Sequence, residues 1–335
     1  MRPPGLFAAR KEAERVAQKE HARLGTDLTR PIDIFDIIQS ERVWLMFQPM
    51  PGLFGVYEKQ GSTAGIMLNA NHPLSLQRFT AAHEYGHHVL GHDASYDFES
   101  EIEQSATDPQ EVQAQAFSAE FLMPLQLVNR TLRRVKGTIT PRSLTASDIY
   151  NLSLHMGNSY AATVSRLVGT NKLSAGAAVA LRRAAPIQVK SALLGAKPEN
   201  SRADVWAIEA DEGSHIVRPA TGDTIVVSLP ENPSTGFLWE WQPESFANTT
   251  SGLTVLEDAS RNETSTAYGA HRTRRVRMNV SAPTNNSVEF LYKRPWLDVS
   301  PGMKRCIVTV EAIDRPLGNA DRGLALPQRN YLLAG

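Results

Sequence analysis

The sequence predicts an α+β chain in two parts, a helical half that holds a small sheet and then an all-β half. Two observations predict this. Apolar residues recur at helical spacing over 74–90 and again over 111–123, whereas from about residue 203 short apolar runs alternate with turns. Between them, Pro186 and the run Lys197-Pro198-Glu199-Asn200-Ser201 break both patterns. The expected organisation is a first domain over 1–185, with a helical subdomain over about 125–185. A linker over 186–202, a β domain over 203–315 and a tail over 316–335 complete it.

Taken in order, residues 6–24 read as a charged amphipathic helix and 31–40 as a short second one. The runs VWLMFQ from Val43, FGVYEK from Phe54 and AGIMLN from Ala64, broken by Pro and Gly, predict a small antiparallel sheet. The helix over 74–90 has Gly91 as its stop, and a polar, acidic connection over 93–108 leads through Pro109 into a helix that Pro124 ends. Further helices follow to about 185, including 146–156 and 159–168 on either side of Gly157-Asn158. In the second half VWAIEA, DTIVVSL, GFLWEW, RRVRMNV, VEFLYK and KRCIVTVEAI give about six or seven strands, the count of a sandwich or barrel.

Bulk properties narrow the function classes. The chain has 335 residues, 41% hydrophobic and 21% charged, enough for two or three domains with full cores. Lys+Arg and Asp+Glu are equal at 35 each, so no net field favours nucleic acid or an anionic membrane. The single cysteine, Cys306, cannot form an internal disulfide, and the start MRPPGLFAARKEAERV lacks the apolar core of a signal peptide. No stretch approaches the roughly 20 apolar residues that span a bilayer. The expected location is the cytoplasm.

The chemistry concentrates in His83-Glu84-Tyr85-Gly86-His87. Histidines four apart on a helix project from one face about a turn from each other, so both can reach one tetrahedral zinc. Glu84 lies beside that face, where it can take a proton from a metal-activated water without ligating. Apolar neighbours Phe79, Ala82 and Val89 make this a packed helix, in which histidines lacking partners are costly. A second pair, His88 and His92, carries Val89 where a glutamate is needed and faces about 100° away, so it reads as lying at the surface or behind the ligands. A third ligand at Asp93 needs a glycine in place of Leu90 to turn the helix. The alternative is a glutamate on the following helix, where Glu111 and Glu120 both qualify.

The strings RFTAAHEYGHHVLGH from Arg78 and EVQAQAFSAEFLMP from Glu111 together resemble the ImmA/IrrE metallopeptidase family over about residues 10–170. The resemblance implies a zincin-like metallopeptidase domain, with zinc held by His83, His87 and Glu111 and with Glu84 as general base. Glu120 is the reserve ligand, because many members have Glu-Ala-Asn where this chain has Gln113-Ala114-Gln115. Tyr85 and Tyr160 are the candidates for steadying an oxyanion. Relatives cut helix-turn-helix repressors and so regulate transcription of stress or mobile-element genes; the implied partner is a repressor on a separate chain. Residues 147–167 resemble a helix-turn-helix but read equally as a helical bundle, and the balanced charge argues against direct DNA binding.

In the β half, Asn232-Pro233-Ser234-Thr235-Gly236 has the chemistry of a tight turn. Proline fixes φ, Thr235 can bond its own backbone, and Gly236 tolerates positive φ. Arg294-Pro295-Trp296 puts an aromatic at a strand end, where a core position is the plain alternative. With GDTIVVSLPENPSTGFLWEW and YKRPW at their separation, the segment 203–315 resembles the chagasin family of cysteine-peptidase inhibitors. That implies an immunoglobulin-like sandwich whose loops enter the cleft of papain-like enzymes. Carried over, the partner-binding residues are Asn232, Pro233, Ser234, Thr235, Gly236, Gly269, Arg294, Pro295 and Trp296. The middle loop departs from the family's Gly-x-Gly-Gly, since Tyr268-Gly269-Ala270-His271 keeps one glycine, so the module could instead hold another protein loop. Two functions follow. The first is a cytoplasmic zinc endopeptidase of regulatory type with a protein-binding module; the second is an interaction protein that inhibits papain-like peptidases, its N-terminal half a scaffold or zinc-dependent sensor.

Overall fold

The computed structural model describes residues 4–98, 108–210, 212–241, 252–262, 272–297 and 301–314. Gly269 and the tail over 316–335 lie outside the described residues. The chain divides into two units: one runs to Leu144 and takes in Leu152–Leu181, the other comprises Thr145–Asn151 and the described chain from Arg182.

The first unit opens with α1 (Pro4–Leu24) and α2 (Ile34–Ser40), the latter started by Asp33, whose side chain accepts from the Asp36 N–H. Strands β1 (Trp44–Gln48), β2 (Leu53–Gln60) and β3 (Thr63–Asn69) lead to α3 (Leu74–Leu90), followed by β4 (Ser95–Phe98). The sheet order is β1-β3-β2-β4, and it is mixed where the sequence predicts an antiparallel one: β1 pairs with β3 in parallel. The cause is local. β2 and β3 close a hairpin that pairs Gln60 with Thr63, and the Asn69 amide donates to the carbonyls of Met50 (2.7 Å) and Leu53 (2.8 Å). Those bonds tie the β1–β2 connection across the end of β3, which carries β1 to the far side of β3.

Helices α4 (Pro109–Leu122), α5 (Leu125–Lys136), α6 (Ala146–Met156), of which the part to Asn151 is grouped with the second unit, α7 (Tyr160–Gly169) and α8 (Ala175–Leu181) follow. The core of this unit joins Ala13 and Ala17 of α1, Phe35 and Ile38 of α2, Ile66 and Leu68 of β3, Ala81, Ala82 and Tyr85 of α3, and Phe117 and Phe121 of α4. A side chain such as Phe121, fully buried, stabilises the fold by about 1.5–3 kcal/mol. α3 and α4 approach closely because residue 86 is glycine: a Cβ there would lie 3.0 Å from Phe117 Cδ1.

In the second unit the segment expected as a linker contains a helix, α9 (Pro186–Leu194), with proline at its start and Gly195 in the left-handed conformation at its end. Lys190 on α9 donates to the carbonyls of Ser201 (3.1 Å) and Ala203 (2.7 Å) and pairs with Asp204 (2.9 Å), which fastens the helix to the entry of the first strand. Among the described residues eight strands follow: β5 (Val205–Glu209), β6 (Gly213–Val217), β7 (Thr224–Glu231), β8 (Leu238–Trp241), β9 (Leu253–Asn262), β10 (Arg272–Val280), β11 (Thr284–Lys293) and β12 (Lys304–Ala312). They form two four-stranded sheets, β5-β7-β10-β9 and β6-β12-β11-β8. Each buries alternate residues, such as Val276, Met278 and Val280 in one and Cys306, Val308 and Val310 in the other, the pattern of a two-layer sandwich. β6 and β9 are additional to the strands the sequence predicts.

Candidate functional site

Helix α3 buries the residues on which the sequence places the chemistry: His83 is 7% exposed, and Glu84 and His87 are wholly buried. Its C-terminus turns at Gly91, whose φ of 72° puts it in the left-handed region that only glycine adopts freely. The turn lets the His92 N–H donate back to the His87 carbonyl at 3.0 Å. On the facing helix, Asp108 caps α4 by accepting from the Gln110 N–H at 2.8 Å, with Pro109 in the first turn. That start aims Glu111 at the histidines.

The structure brings His83, His87 and Glu111 together, with their ligand atoms all within 4.8 Å of one another. The two Nε2 atoms are 3.1 Å apart, and the Glu111 carboxylate stands 3.1 Å from His83 and 3.5 Å from His87. Three donors on a tetrahedral zinc with bonds of about 2.0–2.1 Å lie about 3.3 Å from each other, so the donor set fits that ion. Burial pushes the Glu111 carboxyl up, but the hydrogen bonds and charges of His83 and His87, when these rings are protonated and no metal is bound, together outweigh it and hold it well below the usual carboxylate range. An anion therefore stands beside the two imidazoles, as a cation site requires.

Glu120, the reserve ligand, is not in this group. It pairs with Arg166 of α7 and accepts from Gln18 of α1 at 3.1 Å, while Arg166 also donates to the Met123 carbonyl at 2.7 Å. Nor does either tyrosine face the centre with a disengaged hydroxyl. Tyr85 donates to Glu20 at 2.5 Å, and Tyr160 donates to the Leu181 carbonyl at 3.0 Å. His88 turns its Nδ1 to the Tyr57 hydroxyl at 3.1 Å.

His92 is a contributor that the spacing of its own pair does not reveal. Its Nδ1 lies 3.0 Å from His87 Nδ1 and its Nε2 lies 3.1 Å from Gln113 Oε1. The signal that could have found it is Gly91, whose turn folds the next residue back over the helix end.

The Glu84 carboxylate packs against β2 at Gly55. A Cβ at position 55 would lie 2.8 Å from Glu84 Oε1 and 2.5 Å from Thr80 Cγ2, so no larger residue fits without moving the glutamate. We expect Gly55→Ala to destabilise the unit by about 1–3 kcal/mol, read from the denaturant midpoint. An unchanged midpoint would mean that Thr80 and Glu84 yield freely.

In the second unit, Asn232–Gly236 and Arg294–Trp296 meet. Pro233–Thr235 form one turn of 3-10 helix, closed by Thr235 Oγ1 donating to the Asn232 carbonyl at 2.7 Å and Ser234 Oγ donating to Asn232 Oδ1 at 2.6 Å. Gly236 has φ of 77°, and a Cβ there would sit 2.8 Å from Trp296 Cη2, so the indole lies across the glycine. Trp296 is 69% exposed and is not a core residue. Pro295 is exposed beside it, and the Arg294 guanidinium stands 4.9 Å over the Phe237 ring.

Residues 42–167 match the model of the IrrE N-terminal-like domain, a peptidase family (Peptidase_M78), and residues 218–310 match that of the Chagasin family peptidase inhibitor I42. The chain joins an IrrE-like domain to a chagasin-like one. Chagasin of Trypanosoma cruzi is 28% identical over 93 residues, which are 28% of this chain and 84% of that protein. Among solved structures, the cysteine protease inhibitor EhICP2 of Entamoeba histolytica is 17% identical, covering 34% of this chain and 100% of its own, with a TM-score of 0.27. Amebosin is 15% identical over 34% of this chain and 100% of its own, with a TM-score of 0.26. The IrrE-like domain contains the histidine–glutamate cluster, and the chagasin-like domain contains the paired loops. Among the described residues no helix is long and apolar enough to cross a membrane.

Proposed function

We propose that the chain is a cytoplasmic zinc-dependent endopeptidase of regulatory type that cuts a helix-turn-helix repressor on a separate chain. The observation that carries this is the convergence of His83, His87 and Glu111 from two helices at the spacing of zinc ligands. Zinc, when bound, supplies Lewis acidity toward a scissile carbonyl and brings a water's pKa to about 7. The chain's own residues do the rest. His83 and His87 present Nε2 lone pairs, Glu111 balances charge, and Glu84, next in sequence to His83, takes the proton of the attacking water and returns it to the leaving amine. The repressor as substrate, and with it a role in transcription or stress response, rests on the family resemblance. Incubating the zinc-loaded chain with a purified repressor of this class should give one or a few defined fragments by mass spectrometry, abolished by a chelator. An uncut panel of such repressors would leave the substrate assignment without support.

A second reading is favoured by the exposed indole lying on Gly236. In it the chagasin-like domain blocks a papain-like cysteine peptidase with the two loops, and the N-terminal half is a scaffold or zinc-dependent sensor. An exposed tryptophan packed on a glycine and flanked by a guanidinium is a suitable binding anchor. If this holds, the full chain inhibits papain, and Trp296→Ala weakens inhibition by about 2 kcal/mol, roughly 30-fold. Equal inhibition by the variant would place the anchor elsewhere.

A further inference from the structure

We infer that His92 and Gln113 form a relay that fixes the tautomer of His87, making both positioning residues for the metal ligand. The inference rests on the zinc reading of His83, His87 and Glu111. Two nitrogens 3.0 Å apart, His87 Nδ1 and His92 Nδ1, can share only one proton, so one ring donates and the other accepts. Gln113 Oε1, 3.1 Å from His92 Nε2, can only accept, which puts the His92 proton on Nε2 and leaves its Nδ1 bare. His92 therefore accepts from the His87 Nδ1–H, and the His87 ring, once neutral as metal binding requires, is left with its lone pair on Nε2. That lone pair faces His83 and Glu111, 3.1 and 3.5 Å away. With the proton order reversed, a hydrogen would stand on Nε2 in the middle of the cluster and His87 could not ligate.

Both ends of the relay are set by features already described. The left-handed turn at Gly91 folds His92 back onto His87. Gln113 sits two residues after Glu111 on α4, so one helix supplies both the carboxylate of the cluster and the acceptor that ends the relay. A metal-binding histidine generally donates its other ring N–H to an acceptor, and loss of such a partner typically weakens metal binding about 10–100-fold. Here the acceptor is a second histidine rather than a carboxylate or carbonyl, and its own orientation depends on a glutamine amide.

The test uses the full chain labelled with 15N-histidine. NMR should show a scalar coupling across the His87 Nδ1–H···Nδ1 His92 bond and the His92 proton on Nε2. Zinc affinity, measured by competition with a chromogenic chelator, should fall about 10–100-fold in His92→Phe. It should fall less in Gln113→Leu, and in Gln113→Glu it should hold or rise, because a carboxylate accepts the same N–H more strongly. A merely structural role would lower zinc affinity in both Gln113 variants alike, which would overturn the relay, and that pair decides the matter if His92→Phe does not fold. The relay is overturned if the coupling is absent, if the His92 proton lies on Nδ1, or if folded His92→Phe binds zinc like the wild type. A wild type that takes up no zinc would instead remove the metal reading, and the coupling would still decide the relay.

Discussion

Glu111→Ala is expected to yield a folded chain that cannot hold zinc. Glu111 lies in the first turn of α4 with its carboxylate on the two imidazoles, so on the proposed zinc reading truncation removes one of three ligand donors and the only one of them that carries negative charge. Loss of a partner one shell further out already costs about 10–100-fold in affinity, so loss of a ligand should exceed about 100-fold. Elemental analysis after dialysis should give about one zinc per wild-type chain and almost none in this variant or in His83→Ala. Glu120→Ala is the control. It breaks a buried ion pair with Arg166, which is expected to cost about 3–5 kcal/mol of stability, while the folded fraction keeps its zinc. Zinc retained in Glu111→Ala and lost in Glu120→Ala would reverse the two assignments.

That pair also shows where sequence reasoning stops. The His83–His87 spacing is legible because a helix fixes the geometry of residues four apart whatever surrounds it. Glu111 and Glu120 share one helix, and nothing local separates them. The choice is made by Arg166, forty-six positions further on, and by the phase of α4 against α3 that the Gly86–Phe117 contact sets. The strands absent from the sequence reading, β4, β6 and β9, all lie at sheet edges. Edge strands have solvent on one side and need not alternate apolar with polar residues, as LTVLEDASRN in β9 does not. The helices with Pro or Gly at their ends, α3 among them, were legible because those residues act within their own turn. The parallel pairing of β1 with β3 was not, because it depends on Asn69 reaching across to the carbonyls of Met50 and Leu53.

The largest effect on catalysis is expected from Glu84→Gln, and the variant separates chemistry from metal binding. Glutamine has the shape of glutamate, so it fills the same wholly buried space against Gly55 and leaves His83 and His87 in place. It cannot accept a proton from water at neutral pH, and loss of a positioned general base typically lowers turnover by about 10²–10⁴-fold. Zinc content should therefore stay at the wild-type level while cleavage disappears. Stability should hold or increase, because a buried carboxylate costs more to desolvate than a buried amide. A residue kept for packing would give the opposite pattern, with stability falling and turnover preserved. If the variant melts at or above the wild-type temperature, binds zinc normally and does not cut, then the burial of an acid at position 84 is explained by its reaction and not by the fold.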